Sequence, residues 1–220
     1  MRVICIIPSF NEEKTIMGVI NGASQYCDSI IVVNDGSQDD TNREAKNAGA
    51  TVANHLINLG TGAALSTGLK IAIREKADMV VTMDGDGQHD PNDIPMLIRP
   101  LIENKVDIVL GSRFLGNIKS MPFYKKIGNR FLSIITSMRC GKKITDSQCG
   151  FRAYSAKVFK SIIHDSTDYT WASEFLIRVI SYDYKWIEVP IKTIYPKKRI
   201  KGTGLIDGIR IFMKMILYKS

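Results

Sequence analysis

Two carboxylates one residue apart, Asp84 and Asp86, stand in the run Asp84-Gly85-Asp86-Gly87-Gln88 directly after the apolar stretch 79–83. At a strand end, with glycines that let backbone approach a ligand, such a pair suits a hard divalent ion shared with a diphosphate. A plain Asp/Gly turn has the same composition, so the spacing by itself divides evenly between the two readings. The histidines add little. His55, His89 and His164 are far apart and lack ligand spacing, which puts His89 in a loop beside that turn and the others at surface or satisfied core positions. No Ser/His/Asp or Cys/His nucleophile emerges.

Three other polar segments, Pro8-Ser9-Phe10-Asn11-Glu12, Asn34-Asp35-Gly36-Ser37 and Gly111-Ser112-Arg113, also follow apolar runs. The elements that must position all four are short β-branched runs at 3–7, 29–33, 51–54, 79–83 and 106–110, separated by segments of helical periodicity. Ile16, Val19, Ile20 and Ala23 mark one amphipathic helix, and Leu65, Leu69, Ala72 and Ile73 another. Strands alternating with such helices predict an α/β fold, a doubly wound and mostly parallel sheet, with ligands at the carboxyl ends of its strands. After Gly111 the alternation stops. Helices are expected over 123–138, 155–163 and 171–181, and a strand over 187–191. With no internal repeat or linker, the division is one domain, 1–196, and a basic tail, 197–220.

Of 220 residues, 45% are apolar and 24% charged, which excludes a disordered or low-complexity chain. Four cysteines at irregular spacing, without CxxC, indicate neither a zinc knuckle nor a disulfide framework, and point to reduced thiols in a cytoplasmic protein. No signal peptide or spanning segment is expected. The net charge of +8 is unevenly placed. Residues 117–145 hold seven basic residues and no acid, and 192–220 hold eight against Asp207. These two segments carry +14, so the rest of the +8 chain stands at −6. An acidic sheet edge facing cationic segments suggests an anionic ligand held through a cation.

The segments Ile7-Pro8-Ser9-Phe10-Asn11-Glu12-Glu13, Val33-Asn34-Asp35-Gly36-Ser37-Gln38-Asp39-Asp40-Thr41 and Met83-Asp84-Gly85-Asp86-Gly87-Gln88-His89-Asp90-Pro91 follow one another at three strand ends. Together they resemble family 2 glycosyltransferases of the Rossmann-like GT-A fold. Gly111-Ser112-Arg113-Phe114, Thr145-Asp146-Ser147-Gln148-Cys149-Gly150-Phe151-Arg152 and Val189-Pro190-Ile191 narrow the resemblance to the polyprenyl-phosphate hexosyltransferases, the class of dolichyl-phosphate mannose synthase. It covers essentially the whole chain.

The resemblance implies an inverting transfer of a hexose from a nucleotide sugar to a polyprenyl or dolichyl phosphate. Pro8, Phe10, Glu12 and Asp35 would line the base and ribose pocket. Phe10 stands where Tyr is usual, which removes a hydroxyl but keeps a stacking face. Asp84 would contact ribose or metal, and Asp86 and Gln88 would hold Mg²⁺ or Mn²⁺ against the diphosphate, with Gly85 replacing the commoner Ala and loosening the turn slightly. A lipid monophosphate is already largely dianionic at neutral pH, so the site needs a cationic clamp rather than a strong base. Arg113, Arg130, Arg152, Arg199 and Lys201 are the candidates, with Ser133 adding a hydroxyl. Asp146 would orient sugar or acceptor, and Glu174 either contacts the sugar or pairs on its helix. The resemblance favours GDP-mannose as donor over UDP-glucose, though only narrowly: users of both share these motifs, and Lys201-Gly202-Thr203 departs from the Gly-Ser-Lys pattern of clear mannose synthases.

Leu205, Ile206, Ile209, Phe212, Met213, Ile216 and Leu217 share one helical face flanked by Arg210 and Lys214. A second stripe, Phe123, Ile127, Ile134, Ile135 and Met138, is flanked by Lys125, Lys126 and Arg130. With the resemblance, both become interfacial helices at an anionic membrane surface, anchored peripherally on its cytoplasmic face or through a homo-oligomer. No nucleic-acid partner is expected. Two rivals fit less well. A sugar-1-phosphate nucleotidyltransferase wants a Gly-rich basic loop after the first strand, where this chain has Asn11-Glu12-Glu13. A non-enzymatic module binding RNA or anionic membranes would leave the carboxylates idle.

Overall fold

In strand β1 (Val3–Ser9) every residue but Pro8 is buried, with Val3, Cys5 and Ile7 in one apolar cluster and Ile4 and Ile6 in another. A strand that is apolar on both faces requires cover on both, and the chain supplies it by alternating strands and helices. The computed structural model describes residues 1–116, 121–162, 176 and 182–194. In order these form β1, α1 (Ile16–Ala23), β2 (Ser29–Asp35), α2 (Thr41–Asn47), β3 (Thr51–His55), α3 (Thr61–Arg74) and β4 (Met79–Thr82). A 3₁₀ turn (Pro91–Asp93), α4 (Ile94–Ile102), β5 (Ile108–Ser112), α5 (Phe123–Cys140), β6 (Arg152–Ser155), α6 (Ala156–Ile162) and β7 (Trp186–Pro190) follow.

The first cluster takes Ile16, Val19 and Ile20 from α1, Ala45 from α2, and Leu97 and Leu101 from α4. The second takes Ala64, Leu65, Leu69 and Ala72 from α3 and Val158 and Phe159 from α6. The seven-stranded sheet between them has the order β3-β2-β1-β4-β6-β5-β7. β1 pairs in parallel with β2 on one side and β4 on the other, so the winding reverses between β1 and β4 and opens a crevice at their carboxyl ends. The registers Ile6↔Thr82 and Ser9↔Asn34 bring the loops after β1, β2 and β4 side by side.

The expected α/β doubly wound, mostly parallel GT-A sheet is therefore present, with one addition. β6 lies antiparallel between β4 and β5, with Arg152 opposite both Thr82 and Leu110. The strand at 152–155 was not expected, and the helix expected over 155–163 is found at Ala156–Ile162. α4 carries Pro95 in its first turn and Pro100 in its last, punctuation that hides its three buried residues Ile94, Leu97 and Leu101. Of the helix expected over 171–181 only Leu176 is described, and Glu174, Arg199, Lys201 and the tail helix over 205–217 lie outside the described residues.

Gly68 of α3 shows how closely helix and sheet approach. A Cβ there would stand 2.4 Å from Ile6 Cγ2 in the core, whereas one at exposed Gly18 of α1 would meet nothing within 4 Å. Gly18→Ala should therefore stabilise the fold by up to about 1 kcal/mol through helix propensity. Gly68→Ala should cost about 1–3 kcal/mol by overpacking despite the same propensity gain. Urea denaturation of the two variants checks the pair, and equal shifts would show that α3 does not press on β1.

Candidate active site

Hydrogen bonds lace the three motif loops together at the crevice. Asn11 N–H donates to Ser37 Oγ at 2.9 Å, Gln38 N–H to Asn11 Oδ1 at 2.9 Å, and Glu12 N–H to Thr41 Oγ1 at 2.7 Å. Thr15 Oγ1 donates to the Gly85 carbonyl at 2.8 Å, joining the first loop to the carboxylate turn. Gly36, at φ 74°, lets the 57–58 backbone approach so closely that a Cβ would lie 2.6 Å from the Ile57 carbonyl carbon. The result is a cleft of about 180 Å³ lined by Pro8, Ser9, Phe10, Glu12, Asp35, Thr61, Ala64, Asp84, Gly85 and Asp86. A neighbouring hollow of about 400 Å³ shares Phe10 and is lined further by Asn34, Ser37, Asn54, His55, Ile57 and Asn58, among others.

Pro8, Phe10, Glu12, Asp35, Asp84, Gly85 and Asp86 thus share one cleft, and Gln88 stands against Asp86, its backbone N–H donating to Asp86 Oδ1 at 2.9 Å. The Gln88 side-chain amide donates to the other Asp86 oxygen. Gly85 does more than loosen the turn, since a methyl there would stand 2.6 Å from the Ser9 hydroxyl. Asp35 is almost fully buried, and its oxygens accept from Leu59 N–H at 2.9 Å and Gly60 N–H at 2.7 Å, at the start of α3. His55 braces it, with Nδ1 2.7 Å from Asp35 Oδ1 and Nε2 2.9 Å from Thr67 Oγ1.

Burial pushes both Asp84 and Asp86 above the ordinary carboxylate range. The charges of Arg113 and Arg152 pull Asp84 part of the way back, while Asp84 raises Asp86 further. Two neighbouring carboxylates that resist joint ionisation, with an amide oxygen beside them, are a hard-oxygen set suited to a divalent ion completed by phosphate oxygens. Gly150 leaves room for this, because a Cβ there would stand 2.9 Å from Asp84 Oδ1. Among the described residues no group of three or more His, Cys, Asp or Glu side chains is placed to hold a metal. The residues present therefore fit an ion shared with a ligand rather than one caged by protein.

His89 stands in the loop beside this turn, as expected, and is buried there. It is 4% exposed, stacks on Phe151 at 5.0 Å and accepts from Asp84 N–H at 3.4 Å through Nδ1. Burial lowers its pKa to about 4, so it is neutral at pH 7.

Beyond β5 lies Arg113, close enough for its charge to act on Asp84. Arg113 grips Asp146 with both arms, Nε to Oδ2 at 2.7 Å and Nη2 to Oδ1 at 2.8 Å, and its backbone N–H donates to Oδ2 at 3.1 Å. The sequence reading gave these two residues separate tasks, and the structure joins them. Arg130 lies exposed on α5. Ser133 and Arg152, expected to join the phosphate clamp, are buried and hold neighbouring turns. Ser133 Oγ accepts from Ser147 N–H at 3.0 Å and donates to the Asn129 carbonyl at 2.8 Å, leaving it 2% exposed. Arg152, 1% exposed, donates to the carbonyls of Cys149 at 2.7 Å and Ser147 at 2.8 Å. Two residues were missed. Lys125 of α5 feels Asp86 and Arg113, with burial lowering its pKa, and Glu188 of β7 holds Thr145 and Asp146. A lone acid in the apolar run 186–191 carries no motif signal.

The family model described as glycosyl transferase family 2 matches residues 4–163. A UDP-N-acetylglucosamine–dolichyl-phosphate N-acetylglucosaminyltransferase of Methanococcus voltae is 38% identical over 240 residues, covering 99% of this chain and 96% of its own. An undecaprenyl-phosphate mannosyltransferase of Micrococcus luteus is 29% identical over 221 residues, covering 94% and 88%. The crystal structure of glucosyl-3-phosphoglycerate synthase from Mycobacterium tuberculosis with Mg²⁺ and UDP superposes at TM-score 0.75 and 22% identity, over 98% of this chain and 78% of that one.

Because the folded-state pKa values of Asp84 and Asp86 are raised, their contribution to stability is full below the ordinary carboxylate pKa and falls as pH rises through the raised values. Asp86→Asn should flatten that fall. Without divalent ions at pH 7 it should raise Tm, by roughly 2–4 °C for each kcal/mol of repulsion relieved. A Tm lowered by Asp86→Asn in calorimetry would mean that the carboxylates hold the turn together instead of straining it.

Proposed function

The chain belongs to glycosyl transferase family 2, a sugar-transferring enzyme family, and from that premise we propose that it moves a sugar from a nucleoside-diphosphate donor to a polyprenyl phosphate. The observation that carries this reading is the facing of two strained carboxylates, Asp84 and Asp86, by the Arg113–Asp146 pair within reach of their charge. One wall suits a cation-bound diphosphate and the other a second phosphate. Phe10 and the amide-lined hollow beside it suit a stacked nucleobase.

Asp84 and Asp86, with Gln88 behind, would hold Mg²⁺ or Mn²⁺ against the donor diphosphate. Bound there, the ion supplies Lewis-acid neutralisation of the departing nucleoside diphosphate. Arg113, oriented by Asp146, would hold the acceptor phosphate so that a dianionic oxygen meets the sugar C1 on the face opposite the leaving group, inverting that carbon. Arg130 adds charge at the entrance, and Arg152, Ser133 and neutral His89 keep the turns in place. UDP-N-acetylglucosamine stands first among donors, because the relative at 38% identity is named for it. GDP-mannose is the second reading, supported by the mannosyltransferase at 29%.

The acceptor reading also draws on α5. Tyr124, Ile127, Phe131, Ile134 and Met138 follow spacings of 3, 4, 3 and 4 and are each more than half exposed, while the inner face buries Leu132, Ser133 and Thr136. Among the described residues no helix is long and apolar enough to cross a membrane. An apolar outer stripe flanked by Lys126 and Arg130 suits a helix lying in the headgroup plane.

Incubation with a short polyprenyl phosphate and either UDP-N-acetylglucosamine or GDP-mannose, followed by mass, tests the donor. An N-acetylhexosaminyl lipid is expected, and a hexosyl lipid from GDP-mannose alone would reverse the order. EDTA should stop transfer, and Asp86→Ala should slow it by about 100-fold or more, comparable to losing one transition-state contact. Undiminished transfer by Asp86→Ala would sink the assignment of the turn.

The stripe has its own test in the triple variant Ile127→Ser, Phe131→Ser, Ile134→Ser. Its binding to phosphatidylglycerol vesicles should weaken by at least about tenfold, given about 1.5–3 kcal/mol for each large apolar side chain removed from water. Transfer to a short, water-soluble acceptor should persist. Unaltered vesicle binding by the folded variant would remove α5 from the membrane surface.

A further inference from the structure

Glu188 faces Leu110 across the β5–β7 register, on the sheet side whose neighbours Ile108, Leu110 and Trp186 belong to the second apolar cluster. A carboxylate on an apolar face is costly unless donors converge on it. Here they do. Thr145 N–H lies 2.9 and 3.0 Å from its two oxygens, and Thr145 Oγ1 and Asp146 N–H reach Oε1 at 2.9 and 3.2 Å. All of these donors belong to one dipeptide, and both ends of that dipeptide lead to Arg113. Asp146 holds the guanidinium directly, and Thr145 Oγ1 lies 2.5 Å from the hydroxyl of Ser112, the residue before it.

We propose that Glu188 is a positioning residue of the acceptor wall: it touches no substrate, but sets the Thr145-Asp146 turn and thereby the direction in which Arg113 meets an acceptor phosphate. This rests on the reading of Arg113 given above. Burial and the neighbouring Asp146 charge both push Glu188 toward protonation, and the hydrogen bonds from Thr145 and Asp146 oppose them. The donors explain why an acid is kept. Every group pointing at Glu188 is N–H or O–H, so two accepting oxygens satisfy the turn where an amide would turn its own N–H₂ against Thr145.

The test uses the full chain with Glu188→Ala, Glu188→Gln, Arg113→Ala and the double variant Arg113→Ala/Glu188→Ala. Three quantities are read: KM for a short polyprenyl phosphate, KM for the nucleotide sugar, and the Arg113 Nε–H resonance, identified by its absence in Arg113→Ala. Glu188→Ala should raise the acceptor KM by about tenfold or more, the scale of a lost charge-assisted hydrogen bond. The donor KM should stay in place and the Arg113 resonance should shift. Glu188→Gln, which keeps one accepting oxygen, should recover part of both effects, and it carries the comparison should the alanine variant not fold. The double variant should be no worse than Arg113→Ala, because the two act through one contact. An unmoved resonance in folded Glu188→Ala, or losses that add in the double variant, overturns the proposal. An unchanged acceptor KM in Arg113→Ala overturns instead the phosphate reading, and the resonance then decides the role of Glu188 by itself.

Discussion

The molecule is organised around a charge that it cannot easily bury. Asp84 and Asp86 sit at the only kind of place an open α/β sheet leaves uncovered, the divergence of two strands whose connections leave in opposite directions. Their partial burial raises both pKa values, and each resists the ionisation of the other. What offsets them comes from the far half of the sequence. Arg113 follows β5, and Arg152 lies in β6, threaded antiparallel between β4 and β5 so that it pairs with Thr82, two residues before Asp84. The reversed strand thus brings a guanidinium under an acidic turn, and the interior carbonyls of Ser147 and Cys149 hold that guanidinium in place. On the proposed reading, a cation bound with the donor diphosphate would relieve that repulsion.

What the sequence made legible, and what it hid, divides along the same line. Strands such as 3–7 and 29–33 announce themselves because burial on both faces demands unbroken β-branched runs. The cleft residues Pro8, Phe10, Glu12, Asp35, Asp84, Gly85 and Asp86 were legible for a topological reason: polar loops after parallel strands must converge at one sheet edge, and they line one cleft. β6 was not, because four residues beginning with Arg152 have no periodicity, and their pairing partners lie some forty to seventy positions away in the chain. The burial of Ser133 and His89 was hidden for a related reason. A polar side chain in a helix or loop reads as exposed, and only the packed fold shows Ser133 bonded to Ser147 and His89 stacked on Phe151. Glu188 was invisible because its value lies in the donors around it, not in its neighbours along the strand.

α5 connects these charges to the proposed lipid. An ordinary surface helix buries its apolar stripe and exposes its polar one. α5 reverses this. Ser133 receives the Ser147 N–H, Ser137 receives the Ile144 N–H, and so the inner face holds both ends of the turn that carries Thr145 and Asp146, while Ile127, Phe131 and Ile134 point outward. The hydroxyls grip one side and the apolar stripe lies on the other, a separation of about one helix diameter, roughly 10 Å. On the proposed reading this spacing gives the acceptor its register. A chain of isoprene units resting at the level of the stripe would bring its phosphate past the helix toward Arg113, already fixed by Asp146, so head and tail of the acceptor would be read by opposite faces of one element. A soluble phosphate would meet the arginine without the stripe, and a neutral lipid the stripe without the arginine. Selectivity for a lipid phosphate then needs no enclosed pocket for the tail, only that the helix keep its hydroxyls inward and its apolar side chains outward.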